Sequence, residues 1–433
     1  MIDVQFIREN PDLVQEKSAQ KGYPVDVKQL LGFDEKRRDL IQEVEEVRRQ
    51  RNELAENTKG QKPSDEQIAA GKTLKEKSAD LEHKLASIDK EYHELLKQVP
   101  NMPLDDVPVG ESEEQNQVVK TWGDKPEFDF QPKSHWELGE QRGWIDKERA
   151  AKVAGSRFAY LAGDLVLLEF AIIQFVLSQL TDKEVLEKII ADNELAVQPT
   201  PFTPILPPYL INTDMYDAMD RLEPRDDRYK IEGEELWLQG SAEHTIGSMF
   251  ADEILREEDG PVRRYLGFAT SFRKEAGTYG KDTEGIIRMH QFDKLEMESF
   301  TLAAHGLNEH KFFIAIQEYL VQRLGLPYQL VQKCTADIGK PNARGVDIDT
   351  WMPGQGKYRE THTADYMTDY QARRLKTRFK REDGELEFAH TNDATAFALG
   401  RIMVAIIENN QTDDGKLVVP EVLRPYMNGA EII

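Results

Sequence analysis

Cysteine is almost absent from this sequence. Cys334 is the only one in 433 residues, which excludes an internal disulfide framework and any zinc site built on two or more thiolates. A reducing compartment suits such a chain. Long apolar runs are absent too: the nearest approach, Leu165 to Leu180, is broken by Glu169, Gln174 and Ser178. It falls short of the roughly 18 apolar residues of a membrane span and reads as a core helix. The opening MIDVQFIREN carries acids and lacks a basic start and an apolar middle, so no targeting segment and no membrane partner are expected, and the protein reads as cytoplasmic. A positive excess is the third absence. Acids number 79 against 56 Lys plus Arg, net −23, which excludes non-specific coating of nucleic acid and leaves only local basic patches. Apolar residues, at 39%, are plentiful enough for two or three packed domains.

Two stretches carry a heptad pattern. Phe33, Arg37, Leu40, Val44, Val47, Arg51 and Leu54 advance in steps of four and three, and Leu74, Ser78, Leu81, Leu85, Ile88, Tyr92 and Leu95 do the same. Gly60 and Pro63 separate them, and Ser64 followed by Gln67 forms a capping box that restarts the second helix. The spacing predicts an antiparallel coiled-coil hairpin, about 33–97, reaching roughly 40 Å or more. Such an arm buries one stripe per helix and reads as a probe rather than the centre of a fold. Residues 1–100 hold 18 Lys plus Arg against 21 Asp plus Glu, so nearly all the excess acid lies elsewhere. Arg48, Arg49, Arg51, Lys59 and Lys62 are candidates to meet phosphates, against the blander alternative of a solvated face laced with i,i+4 ion pairs.

Residues 101–132, with Pro103, Pro108, Pro126 and Pro132 and the acids Glu111, Glu113 and Glu114, read as a linker, and 133–433 as the main folded domain. Strand-like stretches at Val262–Phe272, Ile286–Phe300 and Leu386–His390 do not alternate regularly with helices. The fold class expected is α+β, an antiparallel sheet with flanking helices.

The chemistry concentrates in Phe272–Phe300, read as strand, loop, strand. Arg273 and Glu275 end the first strand, a loop with Gly277, Gly280 and Gly285 follows, and Arg288, Phe292 and Glu296 recur at every fourth place of the return, on one face if all three are in a strand. A guanidinium fork suits phosphate and an aromatic face suits a purine, although cross-strand ion pairs in an ordinary hairpin would use the same residue types. Glu385–Gln411 runs from a strand through a polar turn into an apolar helix bearing Arg401.

Together these two pieces resemble motifs 2 and 3 of the class II aminoacyl-tRNA synthetases, and the whole chain resembles the bacterial-type seryl-tRNA synthetases. IRENP at Ile7–Pro11, PNMP at Pro100–Pro103, GSRF at Gly155–Phe158, PPYL at Pro207–Leu210, SAE at Ser241–Glu243, TDYQARR at Thr368–Arg374 and ENNQ at Glu408–Gln411 carry the likeness in order and spacing. The resemblance implies ATP as a substrate, with Arg273 on its α-phosphate, Lys274 also on the ATP site, Glu275 near the adenine, Arg288 on phosphate, Phe292 stacking the adenine and Arg401 on the γ-phosphate side. It implies Mg²⁺, and no zinc, held by Glu360 and Thr363 within the Glu360, Thr361, His362, Thr363 run. Serine would lie against Ser241, Ala242 and Glu243, with Glu296 and Thr395 near its side chain and ammonium. Implied partners are L-serine, tRNA(Ser), selenocysteine tRNA where the organism has one, and a second copy in a homodimer. Asp393 stands where Asn is common in the resembled family, and Ala218–Lys230 replaces a Gly-rich segment. A ligase loading a carrier protein and a catalytically silent binding protein are the alternatives; the intact arm opposes the first, and the presence of Arg273, Glu275, Glu360 and Arg401 the second.

Overall fold

The computed structural model describes residues 1–60, 63–276 and 285–433, and the chain divides into two compact units, Met1–Met102 and Pro103–Ile433. In the first, two short helices, Val4–Glu9 and Pro11–Gln20, precede α1 (Val27–Asn57) and α2 (Asp65–Gln98). The capping box expected at Ser64 and Gln67 is present in both directions, satisfying two donors that the first turn of α2 leaves open. Val44, Val47 and Leu81 are buried where the heptad seams meet, flanked by Leu40, Leu74 and Leu85. The polar seam positions pair across the hairpin: Arg37 with Asp89, and Arg51 Nη1 with Ser78 Oγ at 3.4 Å. As α1 ascends α2 descends, so the pairing is antiparallel. Helices of 31 and 34 residues span about 50 Å at 1.5 Å per residue.

The second unit is built on an eight-stranded sheet. Its strands in chain order are β1 (Gln117–Trp122), β2 (Thr203–Ile205), β3 (Val262–Phe272), β4 (Gln291–Thr301), β5 (Tyr328–Gln332), β6 (Arg344–Met352), β7 (Lys357–Thr368) and β8 (His390–Ala398). They lie in the spatial order β1-β5-β6-β7-β8-β4-β3-β2, and every neighbouring pair is antiparallel except β2 with β3. Helices α4 (Gly306–Arg323) and α5 (Leu399–Asn409) cover one face; the apolar helix α3 (Asp164–Leu180) packs on α5, and its Leu165, Leu168, Ile172 and Val176 are fully buried in the common core. Among the described residues no single helix is long and apolar enough to cross a membrane.

Three local expectations change. The stretch read as a linker contributes β1, an edge strand whose Trp122 stacks on Tyr328 of β5 with ring centroids 5.7 Å apart. Its exposed positions give no alternation for a pattern to reveal. The return strand after the motif 2 loop begins at Gln291, since Ile286–His290 form turns instead, so Arg288 lies outside it. The polar turn expected before Arg401 is strand β8, buried between β7 and β4. Its polar residues are tolerated there because each has a place for its polar atoms: Thr395 lines the cleft, Asp393 meets Arg221, Thr391 donates to Gln371 at 3.2 Å, and Asn392 donates to the Gly306 carbonyl at the start of α4, also at 3.2 Å.

Candidate active site

The site follows from the two-residue period of the strands. In β4, Leu295 and Met297 enter the core under the helices, so Phe292, Lys294, Glu296 and Glu298 all point to the opposite face. Register extends the row: Thr395 lies opposite Glu296, Asp393 opposite Glu298, Asp365 of β7 opposite Asp393, and Thr363 opposite Asp347 of β6. Four adjacent strands thus present polar side chains on one surface.

At one end of this surface is a cleft lined by Arg273, Glu275, Arg288, Phe292, Lys294, Glu360, Thr361, Thr363, Thr395 and Arg401, about 100 Å³ in volume. A second compartment of about 490 Å³ shares Arg288, Glu360, Thr363 and Arg401 with it. Arg273 donates from Nε to the Gly240 carbonyl at 3.0 Å, and its guanidinium lies 5.3 Å from the Phe292 ring centre, leaving the fork's terminal nitrogens toward the cleft. Glu275 takes a left-handed backbone, φ 54°, where the chain leaves β3, and accepts from Arg288 Nη1 at 2.6 Å. Arg401 donates from one nitrogen to the Glu360 carbonyl at 3.0 Å and carboxylate at 2.8 Å. Partial burial pushes the Glu360 carboxyl up, but Arg401, Lys333 and Arg273 together hold it below its ordinary value; its side chain is half exposed, so solvent screens that pull.

The turn carrying Arg288 is anchored from beneath. Gly285 has φ 62°, and a Cβ there would fall 1.8 Å from His135 Nε2, so only glycine fits. His135 donates from Nδ1 to Glu408 at 2.8 Å, which leaves Nε2 to accept the Ile286 N–H at 3.3 Å. Glu408 belongs to the ENNQ motif, so that motif serves the site by holding the returning chain.

Beyond Phe292 lies a buried ionic pocket. Ser241 donates to Glu243 at 2.5 Å; Lys294 Nζ reaches Ser241 Oγ at 3.0 Å, Glu243 at 3.4 Å and Glu296 at 2.5 Å. Burial would raise the Glu243 carboxyl, yet Lys294, the neighbouring His244 and Arg221 and the Ser241 hydroxyl hold it well below its usual range. Burial dominates at Glu296 and Glu298 and pushes both well up; at Glu296 Lys294 offsets only part of it, and the Glu298 carboxyl has no hydrogen-bond partner among the described residues. Asp393 is pushed to about 8 by burial and by Glu243, against the pull of Arg221. Lys333 forms a parallel cluster in the larger compartment, 3.0 Å from Thr363 Oγ1, 3.2 Å from Asp365 and 3.4 Å from Asp347.

The fold therefore brings together Arg273, Glu275, Arg288, Phe292, Glu360, Thr361, Thr363, Thr395 and Arg401 on the cleft, with Ser241, Glu243 and Glu296 behind them. Lys274 is exposed with its ammonium over the Tyr229 ring, Ala242 packs with Ile246 and Ala269, and His362 is buried against Phe397; none of these three lines the cleft. On the arm, Arg48 pairs with Glu82 at 3.1 Å, Arg49 with Glu46 and Glu53 at 2.8 Å each, Lys59 is exposed, and Lys62 lies outside the described residues. Sequence reasoning missed Lys294. Counting Phe292 to Glu296 in fours stepped over it, whereas the two-residue period of a strand would have included it.

Residues 1–103 match the family described as the seryl-tRNA synthetase N-terminal domain, and residues 228–410 the tRNA synthetase class II core domain of the G, H, P, S and T group. The serine–tRNA ligases of Exiguobacterium sibiricum and Thermodesulfovibrio yellowstonii are each 38% identical over all of this chain and all of their own. The crystal structure of seryl-tRNA synthetase from Pyrococcus horikoshii complexed with ATP matches all of this chain and 99% of its own, at 35% identity and a TM-score of 0.88.

Proposed function

The chain belongs to the seryl-tRNA synthetase family, and on that premise we propose that the cleft of Pro103–Ile433 seats ATP and serine side by side. The activity is that of an ATP-dependent serine–tRNA ligase: serine and ATP form seryl-adenylate and pyrophosphate, and the seryl group passes to the 3′ end of tRNA. The observation that carries the assignment of residues is the convergence of three arginines and Phe292 on one cleft beside the Ser241, Glu243, Glu296 pocket.

Attack of the serine carboxylate on the α-phosphorus needs alignment and positive charge, with no covalent nucleophile. Arg273, tied to Gly240 and backed by Phe292, is pre-set for the α-phosphate. Arg288 and Arg401 are each held by a carboxylate, Glu275 and Glu360, which orients them before ATP arrives. Phe292 offers the base a ring face. The ionised Glu243 receives the serine ammonium, while Ser241, Glu296 and Thr395 provide the polar partners that a hydroxyl requires and a methyl group cannot satisfy.

Glu360 and Thr363 fit a divalent ion. Glu360 is ionised, Thr363 adds a neutral hydroxyl, and both are the hard oxygen donors Mg²⁺ prefers. Bound there, Mg²⁺ would neutralise charge on the phosphates. The arm of the first unit is the element proposed to carry tRNA(Ser), through Arg48, Arg49, Arg51 and the turn lysines. Selenocysteine tRNA is a second proposed substrate, the homodimer the proposed assembly, and the cytoplasm the proposed compartment.

The test is amino-acid-dependent exchange between ATP and pyrophosphate without tRNA, comparing serine with threonine, alanine, glycine and cysteine. Exchange with serine at least a hundredfold above the others is expected. Equal exchange with threonine, or none with serine in folded protein, would sink the residue assignment.

A further inference from the structure

Glu243, Glu296 and Asp393 bring one carboxylate oxygen each to within 4.8 Å of one another, all three buried. Carboxyls this close compete for charge, and the cations at hand decide how much of it each one keeps. Among the described residues two cations pair directly with these carboxyls. Lys294 reaches Glu243 and Glu296, at 3.4 and 2.5 Å. Arg221 reaches Asp393, its Nη2 lying 3.2 Å from Oδ2 and also 3.2 Å from the Asn342 side-chain oxygen. Arg221 belongs to Ala218–Lys230, so two places singled out separately in the sequence, that segment and Asp393, meet here. Asp393 has no way to retreat: it sits mid-sheet in β8, opposite Glu298 of β4 on one side and Asp365 of β7 on the other. Lys294 is the other cation that acts on Asp393, so with Arg221 removed whatever charge Asp393 carries would draw on Lys294. Turning toward Asp393 would draw Lys294 away from the two glutamates it now aligns.

We propose that Arg221 is a positioning residue of the amino-acid pocket: it engages Asp393 so that Lys294 remains with Glu243 and Glu296, which stay aimed at serine. The inference rests on the serine reading of that pocket. Arg221 does not line the cleft of Arg273, Phe292 and Arg401, so it acts on the amino acid and leaves ATP untouched. Its partner has a simple replacement. An amide at 393 carries no charge to compete for Lys294, so the need for Arg221 disappears with the carboxylate.

The experiment compares wild type, R221M and R221M/D393N in serine-dependent ATP–pyrophosphate exchange, with KM measured for serine and for ATP and with kcat. The expected result is a serine KM at least tenfold higher in R221M, an ATP KM within threefold of wild type, and a serine KM back within threefold in the double variant. A role in packing or through Asn342 alone would leave the double variant as impaired as the single one. That outcome, an unaltered serine KM in R221M, or a parallel rise in the ATP KM, overturns the proposal. If R221M does not fold, the double variant decides: folded with serine KM within threefold supports the proposal, and unfolded or impaired tenfold overturns it. Lack of serine-dependent exchange in wild type would overturn both the proposal and the reading beneath it, whereas a normal wild type with an unaffected R221M overturns the proposal alone.

Discussion

At the scale of single residues, charge and burial decide what the site can do. Glu243 is held ionised and is the acid proposed to meet the serine ammonium; on that proposal Glu243→Gln is expected to raise the serine KM about 10- to 100-fold, the loss of a charged hydrogen bond worth roughly 1.5–3 kcal/mol. Arg273 is proposed to act where charge develops, so Arg273→Gln should lower kcat for exchange about 100-fold or more while the melting temperature stays within a few degrees. Burial also makes stability respond to pH in two directions. Desolvation holds His362 down to about 3 and His310 to about 4, so the unfolded chain binds more protons than the folded one below about pH 6.5. Stability is therefore full above that pH and falls as the pH drops, by on the order of 2 kcal/mol per histidine at pH 5. Glu169, raised to about 7 by burial and by Asp293, works the other way: its contribution is present below pH 4.5 and is lost as pH rises through 7. Urea titrations should show His362→Gln flattening the acid limb, and Glu169→Gln gaining on wild type between pH 5 and 8. A pH-independent difference for either variant would contradict the assignment.

At the scale of elements, the site depends on how strands are held as much as on what they carry. The β7–β8 ladder pairs Ala364 with Ala394, and beyond it the Thr363 and Thr395 carbonyls are met by the Gln317 amide from α4, at 2.7 and 2.8 Å. One buried side chain thus fixes the two strands that present Thr363 and Thr395 to the cleft. Gln317→Leu leaves both contacts unmade and is expected to cost about 2–4 kcal/mol in urea unfolding. The helical hairpin was legible from its heptads and capping box because those are local signals. Strand β8 was not: HTNDATAFA reads as a polar turn until one knows that Asp393 and Thr395 share one face of a buried strand. Strand β1 was hidden for a different reason, since an edge strand exposed on both faces has no alternation to read. The arm offers a clean separation of roles. Excising Glu35–Glu91 behind a short glycine-rich turn should leave serine-dependent exchange within a fewfold of wild type and abolish charging of tRNA(Ser). Retained charging would mean that tRNA is held elsewhere.

At the scale of the whole molecule, a chain of net charge −23 has to bind a polyanion, so the attraction must be local to a few basic residues. Affinity for tRNA should fall steeply between about 50 and 200 mM salt, as it does wherever phosphates displace counterions; a flat dependence would argue against an electrostatic contact. The proposed homodimer has a candidate face on α3, where Leu167 and Phe170 are 52% and 55% exposed beside the fully buried Leu168 and Ala171. Light scattering should give twice the chain mass for wild type and the single mass for L167D/F170D. The sequence by itself determined the family, the α+β class, the arm and most of the residues that line the cleft, because motifs and periodicities are properties of neighbours along the chain. Only the tertiary structure decided the charge balance of the buried ionic pocket proposed for serine. Arg221, Ser241, Lys294 and Asp393 lie on four separate stretches, and which carboxylate each cation neutralises depends on strand register and burial, neither of which any one stretch contains.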